Sequence, residues 1–235
     1  GRGPTEDGRI KPDVVAPGTF ILSAISRDKI SLSAVSSDFG YDHGTSMATP
    51  LVAGCVAVLR EFLAEKHQIT HPSAALVKAL LINGARDIVE EYSPNQSGSI
   101  PNCAEGFGRV DMRATVGPFE PQERIIFQDE APQMEQKGQQ EAIKLHLGPA
   151  TSLLKVTLVW TDFPGRGLLN DLDLIVRSAN EERHGNKEPG ASDFDRTNNV
   201  EQVIWANPPE GELEIIVSAF HIWEPQSYAL VIRTT

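Results

Sequence analysis

Tyr41-Asp42-His43-Gly44-Thr45-Ser46-Met47-Ala48-Thr49-Pro50 runs straight into Leu51-Val52-Ala53-Gly54-Cys55-Val56-Ala57-Val58-Leu59, and this junction decides how the chain is read. Apolar residues cover every face of the run until Arg60, Glu61, Glu65 and Lys66, which predicts a helix buried all round in its first half and surfacing in its second. Ser46 then stands at or just before the helix N-terminus. There the first backbone N–H groups lack intrahelical partners and the helix dipole is positive, so a nucleophile finds donors for the oxyanion that its attack creates. Gly44 keeps side-chain bulk away from the hydroxyl. Pro50, without an N–H, is tolerated in a first turn and sets the helix start near this point. The plainer reading makes Thr45 or Ser46 an N-cap, since Ser and Thr are favoured there.

The longer string separates these readings. GTSMATPLVAG, residues 44–54, resembles the nucleophile segment of the subtilisin-like serine peptidases position for position. Upstream, Arg2-Gly3-Pro4-Thr5 followed by Asp7-Gly8-Arg9-Ile10-Lys11-Pro12-Asp13-Val14-Val15-Ala16-Pro17-Gly18 looks like the family's segment leading to the strand and loop before the nucleophile. Downstream, Gly106-Phe107-Gly108-Arg109-Val110-Asp111 is similar to the stretch that closes the family's catalytic domain. The resemblance implies a parallel sheet covered by helices, an acyl-enzyme on Ser46, a polypeptide substrate and an extracellular, secreted enzyme. It also implies a histidine base and an orienting aspartate in the chain order Asp, His, Ser. Only 45 residues precede Ser46, and the family's aspartate and histidine segments and its oxyanion asparagine are not among them. His43, three residues ahead of Ser46 on the same turn, reads as a structural or rim residue. The expectation is the C-terminal part of a serine endopeptidase, inactive alone and fitting the missing N-terminal part of its own catalytic domain. The alternative is a non-catalytic pseudoenzyme or binding module whose second half holds polypeptide or carbohydrate.

Composition agrees with a globular chain: 235 residues, 40% hydrophobic, with a net charge of −11. The acidic balance, with no basic stripe, argues against nucleic acid or an anionic membrane as partner. Residues 51–59 form the longest apolar run, too short to span a bilayer, and the first residues lack a signal-peptide layout. Two cysteines make no disulfide framework; Cys55 reads as a small core residue and Cys103 as a loop residue.

Taken in order, residues 1–18 are a Gly- and Pro-rich loop around a short Val14-Val15 strand, with Asp13 expected to bond loop N–H groups beside Lys11. Residues 20–26 read as a strand. Residues 27–40 form a polar, Ser-rich excursion that either shapes a pocket beside Ser46 or is simply solvated. A second helix is predicted over 71–85, with Pro72 near its start and Gly84 as its stop, followed by a polar, turn-rich stretch over 86–102.

After Gly117-Pro118 helical periodicity gives way to short β-type runs over 125–127, 141–147, 153–162, 172–177, 200–205, 212–219 and 228–233. Leu154-Lys155-Val156-Thr157-Leu158-Val159-Trp160 alternates as a strand facing a core on one side. The fold class is therefore α/β over residues 1–118, a partial subtilisin-like parallel-sheet domain, then an all-β antiparallel jelly-roll sandwich over 119–235. VTLVWTDFPG, LLNDLDLIV and NNVEQV resemble the jelly-roll domain appended to alkaline bacterial subtilases. Without the upstream half of the domain, apolar surface around Leu51, Val52, Val56 and Leu59 is expected to be exposed, so that 1–118 alone aggregates or binds a complementary N-terminal chain while 119–235 folds alone. Asp162, Asn170, Asp171, Asp173, Asp193, Asp195 and Asn198 supply hard oxygen donors on loops and strand ends, of the type Ca²⁺ accepts. Asp171 and Asp173, alternating on one strand face, lead this structural calcium set with Asn170 and Asp162. His146, His184 and His221 are scattered without zinc spacing.

Overall fold

A computed structural model describes residues 1–26, 34–88, 99–118 and 120–235. The excursions expected over 27–40 and 86–102 fall partly outside the described residues.

The first half is a hairpin and three helices. Strands β1 (Ile21–Ala24) and β2 (Phe39–Asp42) pair antiparallel, with Leu22 opposite Tyr41 and Ala24 opposite Phe39. Residues two apart share a face, so Leu22, Phe39 and Tyr41 stand on one side of the hairpin, 51%, 51% and 41% exposed. Helix α1 (Thr45–His67) is separated from the hairpin by two residues, His43 and Gly44. By length and composition it is apolar enough to cross a membrane, because the run counted over 51–59 extends back through Met47, Ala48 and Pro50.

The burial of α1 departs from the expectation. Leu59 and Leu63, in its second half, are fully buried, whereas Leu51 is 41% and Val58 52% exposed. Val52, Cys55 and Val56 are half-buried. Pattern alone made the first half buried all round; here one stripe, Val52, Cys55, Val56, Leu59 and Leu63, packs on a core along both halves, while Leu51 and Val58 lie off it and are exposed.

Helix α2 (Ala74–Gly84) starts on Ser73, whose Oγ accepts the Leu76 N–H at 3.0 Å. Gly84 is not a left-handed stop. A Cβ there would lie 2.5 Å from Thr115 Oγ1, so glycine permits the close approach of the short helix α3 (Met112–Val116). The parallel sheet expected in this half is represented, among the described residues, by one parallel bridge between Val15 and Arg109. Gly106 makes that bridge accessible: at φ +64° it crosses so near residues 12 and 13 that a Cβ would fall 2.0 Å from the Pro12 carbonyl oxygen.

The second half contains two four-stranded antiparallel sheets. One has the order β3 (Arg124–Gln128), β10 (Tyr228–Thr234), β5 (Leu153–Trp160), β8 (Val200–Ala206); the other β4 (Gln140–Leu147), β9 (Gly211–His221), β6 (Asp171–Arg177), β7 (Glu182–His184). Between them lies a core that includes Leu154, Val156, Leu158, Trp160, Leu172, Leu174, Ile215 and Ile232. β7 has no apolar alternation to betray it; Arg177 and Glu182 pair across it at 2.7 Å.

The outer face of the β3-β10-β5-β8 sheet is not solvated. Val159, Val200, Ala229 and Val231 join Leu59, Leu63, Leu76, Leu80 and Ile82 in a second core. The polar positions Lys155 and Thr157, which alternation assigned to solvent, are buried against α2.

Candidate active site

The turn before α1 is held by its neighbours. Gly44 is the N-cap, at φ 141° and ψ 171°, and its N–H donates to the Gly18 carbonyl at 2.7 Å. Met47 N–H returns to the Gly44 carbonyl at 3.1 Å. Ser46 is thus the second helical residue rather than the cap, and it is exposed. Its hydroxyl is not spent on closing the helix end, while the N–H groups of Thr45 and Ser46 are among those that an α-helix leaves without intrahelical carbonyl partners.

Pro50 sits in the second turn, not the first. The amide it lacks is the one that would bond the Ser46 carbonyl four residues back. Exposure of Ser46 lets solvent take that place, which is why the proline is tolerated.

Gly18 fixes the height of this turn. A Cβ added to it would lie 2.8 Å from the Gly44 carbonyl oxygen and 3.4 Å from Ala48 Cβ. Sequence reading placed Gly18 in a motif without giving it a contact; the Pro17-Gly18 pair was the available signal.

Beside the turn runs a groove of about 810 Å³, lined by Val14, Val15, His43, Thr49, Val52 and Val56 among others. His43 is exposed on its rim, and its backbone N–H donates to Asp42 Oδ1 at 2.8 Å. Asp13, also on the groove, pairs with the ammonium groups of Lys11 and Lys78, each at 2.8 Å, rather than with loop N–H groups. Burial would raise the Asp13 carboxyl, but the two lysines outweigh it and hold the group below its ordinary value. Cys55 and Cys103 are both free and half-buried.

The proposed calcium donors are spread over three sets of protein contacts. Asp162 accepts the N–H groups of Leu169 and Asn170 at 2.8 and 2.9 Å. Asn170 Oδ1 accepts the Trp223 N–H at 2.7 Å, and its Nδ2 donates to Gln226 Oε1 at 2.8 Å. Asp171 and Asp173 do share a face of β6, but the Arg196 guanidinium already bridges them. Arg196 is itself stacked on Phe220, 3.7 Å from the ring centre. Asp195 accepts from Asn186 and Asn198, each at 2.7 Å. Burial pushes Asp171 up to about 6, and raises Asp173 despite the guanidinium. As they stand these oxygens do not form a calcium cage, since every leading donor is engaged and a cation fills the position between the two aspartates. Among the described residues no cluster of three or more His, Cys, Asp or Glu side chains is arranged to hold a metal ion.

Comparison with known proteins bears on residues around Ser46. The subtilase family profile matches residues 1–108. The serine protease/ABC transporter B family protein tagA of Dictyostelium discoideum is 29% identical over 276 aligned positions, covering 100% of this chain and 15% of that protein. Its namesake tagB from the same organism is 28% identical, covering 86% of the chain and 14% of that protein. The C5a peptidase of Streptococcus pyogenes is 35% identical over 104 positions, 41% of the chain and 8% of that protein. The chain therefore spans about 15% of the length of the Dictyostelium relatives. The turn at residues 44–54 and the close approach at Gly106 both fall within residues 1–108, the segment that matches the subtilase family.

Proposed function

We propose that Ser46 is the nucleophile of a serine endopeptidase that cleaves polypeptides through an acyl-enzyme, and that residues 1–118 form the nucleophile-bearing part of its catalytic domain. The observation that carries the reading is the placement of Ser46: second in α1, exposed, and free of a capping role. In the reaction Ser46 Oγ attacks the scissile carbonyl, and the carbonyl oxygen gains the negative charge. The N–H groups of Thr45 and Ser46 and the positive end of the helix dipole are close to that charge. One such donor is worth about 10²–10³ in rate. The hydroxyl proton passes to a histidine held by an aspartate, both supplied by polypeptide outside these residues. His43 does not fill the role, being anchored on the rim of the same turn.

The partner that completes the site is the N-terminal part of the same catalytic domain. The apolar groove beside Val14-Val15 and the exposed first half of α1 support this. The strand order β3-β10-β5-β8 over β4-β9-β6-β7 supports a jelly roll for the second half. An extracellular location follows from the family resemblance. Structural calcium in the sandwich enters only if the ion displaces Arg196. Replacing Ser46 by alanine in the longer natural protein tests the reading: hydrolysis of a denatured protein substrate should fall by several orders of magnitude. An unchanged rate would end the assignment.

A non-catalytic binding role is favoured by one observation, the exposed aromatic pair Phe163 and Trp223 on the sandwich, 40% and 60% exposed with ring centres 5.8 Å apart. Such a pair suits a polypeptide or carbohydrate ligand. An unaltered Ser46→Ala phenotype together with quenching of Trp223 fluorescence by either ligand would favour it.

A further inference from the structure

We infer that the β-sandwich is the brace of the helical half, so that the two halves fold and melt as one unit. The inference does not require Ser46 to be a nucleophile.

The sandwich grips α2 at both ends. At the N-terminus Asp129, just beyond β3, accepts the Ser73 N–H at 2.9 Å on one oxygen and the Ser73 hydroxyl on the other. The residue that caps α2 is thus itself held by the sandwich. At the C-terminus the buried Asn83 donates to the Lys155 carbonyl and Thr157 Oγ1, each at 3.1 Å, and to the Val231 carbonyl at 3.3 Å. Its Oδ1 accepts Arg233 Nε at 3.1 Å. One side chain therefore ties the end of α2 to both central strands of the sheet, β5 and β10.

Reciprocal bonds run the other way. Lys155 Nζ crosses from β5 to the Ala85 carbonyl just past α2, at 2.8 Å, and Arg233 reaches from β10 to the Ala114 carbonyl of α3. The far end of α1 is joined as well: His67 packs edge-on between Phe62 of α1 and Phe127 of β3, with ring centres 5.1 and 5.0 Å away.

Energetics make this an obligate arrangement. Removing α2 would leave Val159, Val200, Ala229 and Val231 in water. It would also strip Asn83 from Arg233 and from the sheet carbonyls. A half-satisfied buried polar network is less stable than either a complete one or an apolar contact. Conversely, α2 without the sheet loses both its cap support and the apolar surface against which Leu76, Leu80 and Ile82 are buried. The composition change near residue 118 therefore divides two sequence patterns but not two stable bodies.

The chain carries its own separate reporters. All three tryptophans, Trp160, Trp205 and Trp223, lie in the sandwich, while the helices α1, α2 and α3 lie within residues 45–116. Melting the full 235-residue chain while recording tryptophan fluorescence and the 222 nm helical dichroism should give coincident midpoints. Asn83→Ala should lower both midpoints together, by about 5–10 °C. Wild-type transitions separated by more than a few degrees would overturn the proposal. So would an Asn83→Ala variant in which only the helical signal moves. If that variant does not fold, the wild-type comparison decides alone.

Discussion

Gly18 and Gly44 govern where Ser46 stands, because one hydrogen bond of 2.7 Å and one space too small for a methyl group define the turn. Gly18→Ala in the longer natural protein should lower kcat by about 10²-fold with little change in KM, as displacement of a reacting group by about 1 Å does. An unchanged kcat would show that the contact does not position Ser46. Lys155 offers a second residue-scale test, since burial, with repulsion from Arg233, pulls its ammonium from 10.5 down to about 8. Below about pH 8 folded and unfolded chains both carry the charge, and the folded chain bears the full cost of burying it. Between about 8 and 10.5 the folded chain has released the proton and the unfolded chain keeps it, so stability rises with pH across that window. Lys78, lowered chiefly by burial, adds in the same direction. Tyr228, pushed from 10.0 up to about 12 by burial, opposes the trend above pH 10. Chemical denaturation between about pH 8 and 9.5 should therefore show stability rising in the parent and a shallower rise in Lys155→Met; equal slopes would remove Lys155 as the cause. For calcium, a chelator should lower the melting temperature more in Arg196→Ala than in the parent, because the guanidinium no longer competes for Asp171 and Asp173. No shift in either protein would dispose of the calcium proposal.

Among the elements, α2 is the most constrained. Gly84→Ala would place a methyl 2.5 Å from Thr115 Oγ1 and 2.8 Å from its backbone nitrogen. Overpacking of this kind costs about 1–3 kcal/mol, and in a chain of this size lowers the melting temperature by about 3–10 °C; an unaltered melting curve would mean that α3 moves aside freely. The sequence made Gly84 a stop signal because glycine is common after helices, and nothing local distinguishes that use from close packing against a segment thirty residues on. The strands β3, β4, β5, β6, β8, β9 and β10 were legible because apolar alternation is a local property. β7 was not, since pairing with β6 and ion pairs, rather than its own pattern, make it a strand. The polar face of β5 was misread for a related reason. Lys155 and Thr157 look like solvent positions until Asn83, more than seventy residues away, supplies the groups that they face. Helix α1 was correct in existence and wrong in burial, because periodicity says how apolar a helix is and not which neighbours are there to cover it.

At the level of the whole molecule, one side is finished and the other is open. The sandwich and α2 close over two apolar cores, whereas the groove, the first half of α1 and the Leu22, Phe39 and Tyr41 face of the hairpin remain exposed. The candidate nucleophile was readable from residues 44–54 alone, since a serine in a small-residue turn before an apolar helix has a local signature. The groove and the Gly18 contact were not, because both depend on segments brought together only by the fold. The open side and the exposed Ser46 are the observations on which the proposed nucleophile rests, and they lead to the most direct test. The longer natural protein containing residues 1–235 should be treated with a fluorophosphonate probe, digested, and mapped by mass spectrometry. The peptide carrying Ser46 should be modified, with no modification in Ser46→Ala and none in residues 1–235 alone, where no base activates the hydroxyl. A protein that hydrolyses polypeptide and takes up the probe at another serine, with Ser46 unmodified, would contradict the proposed nucleophile.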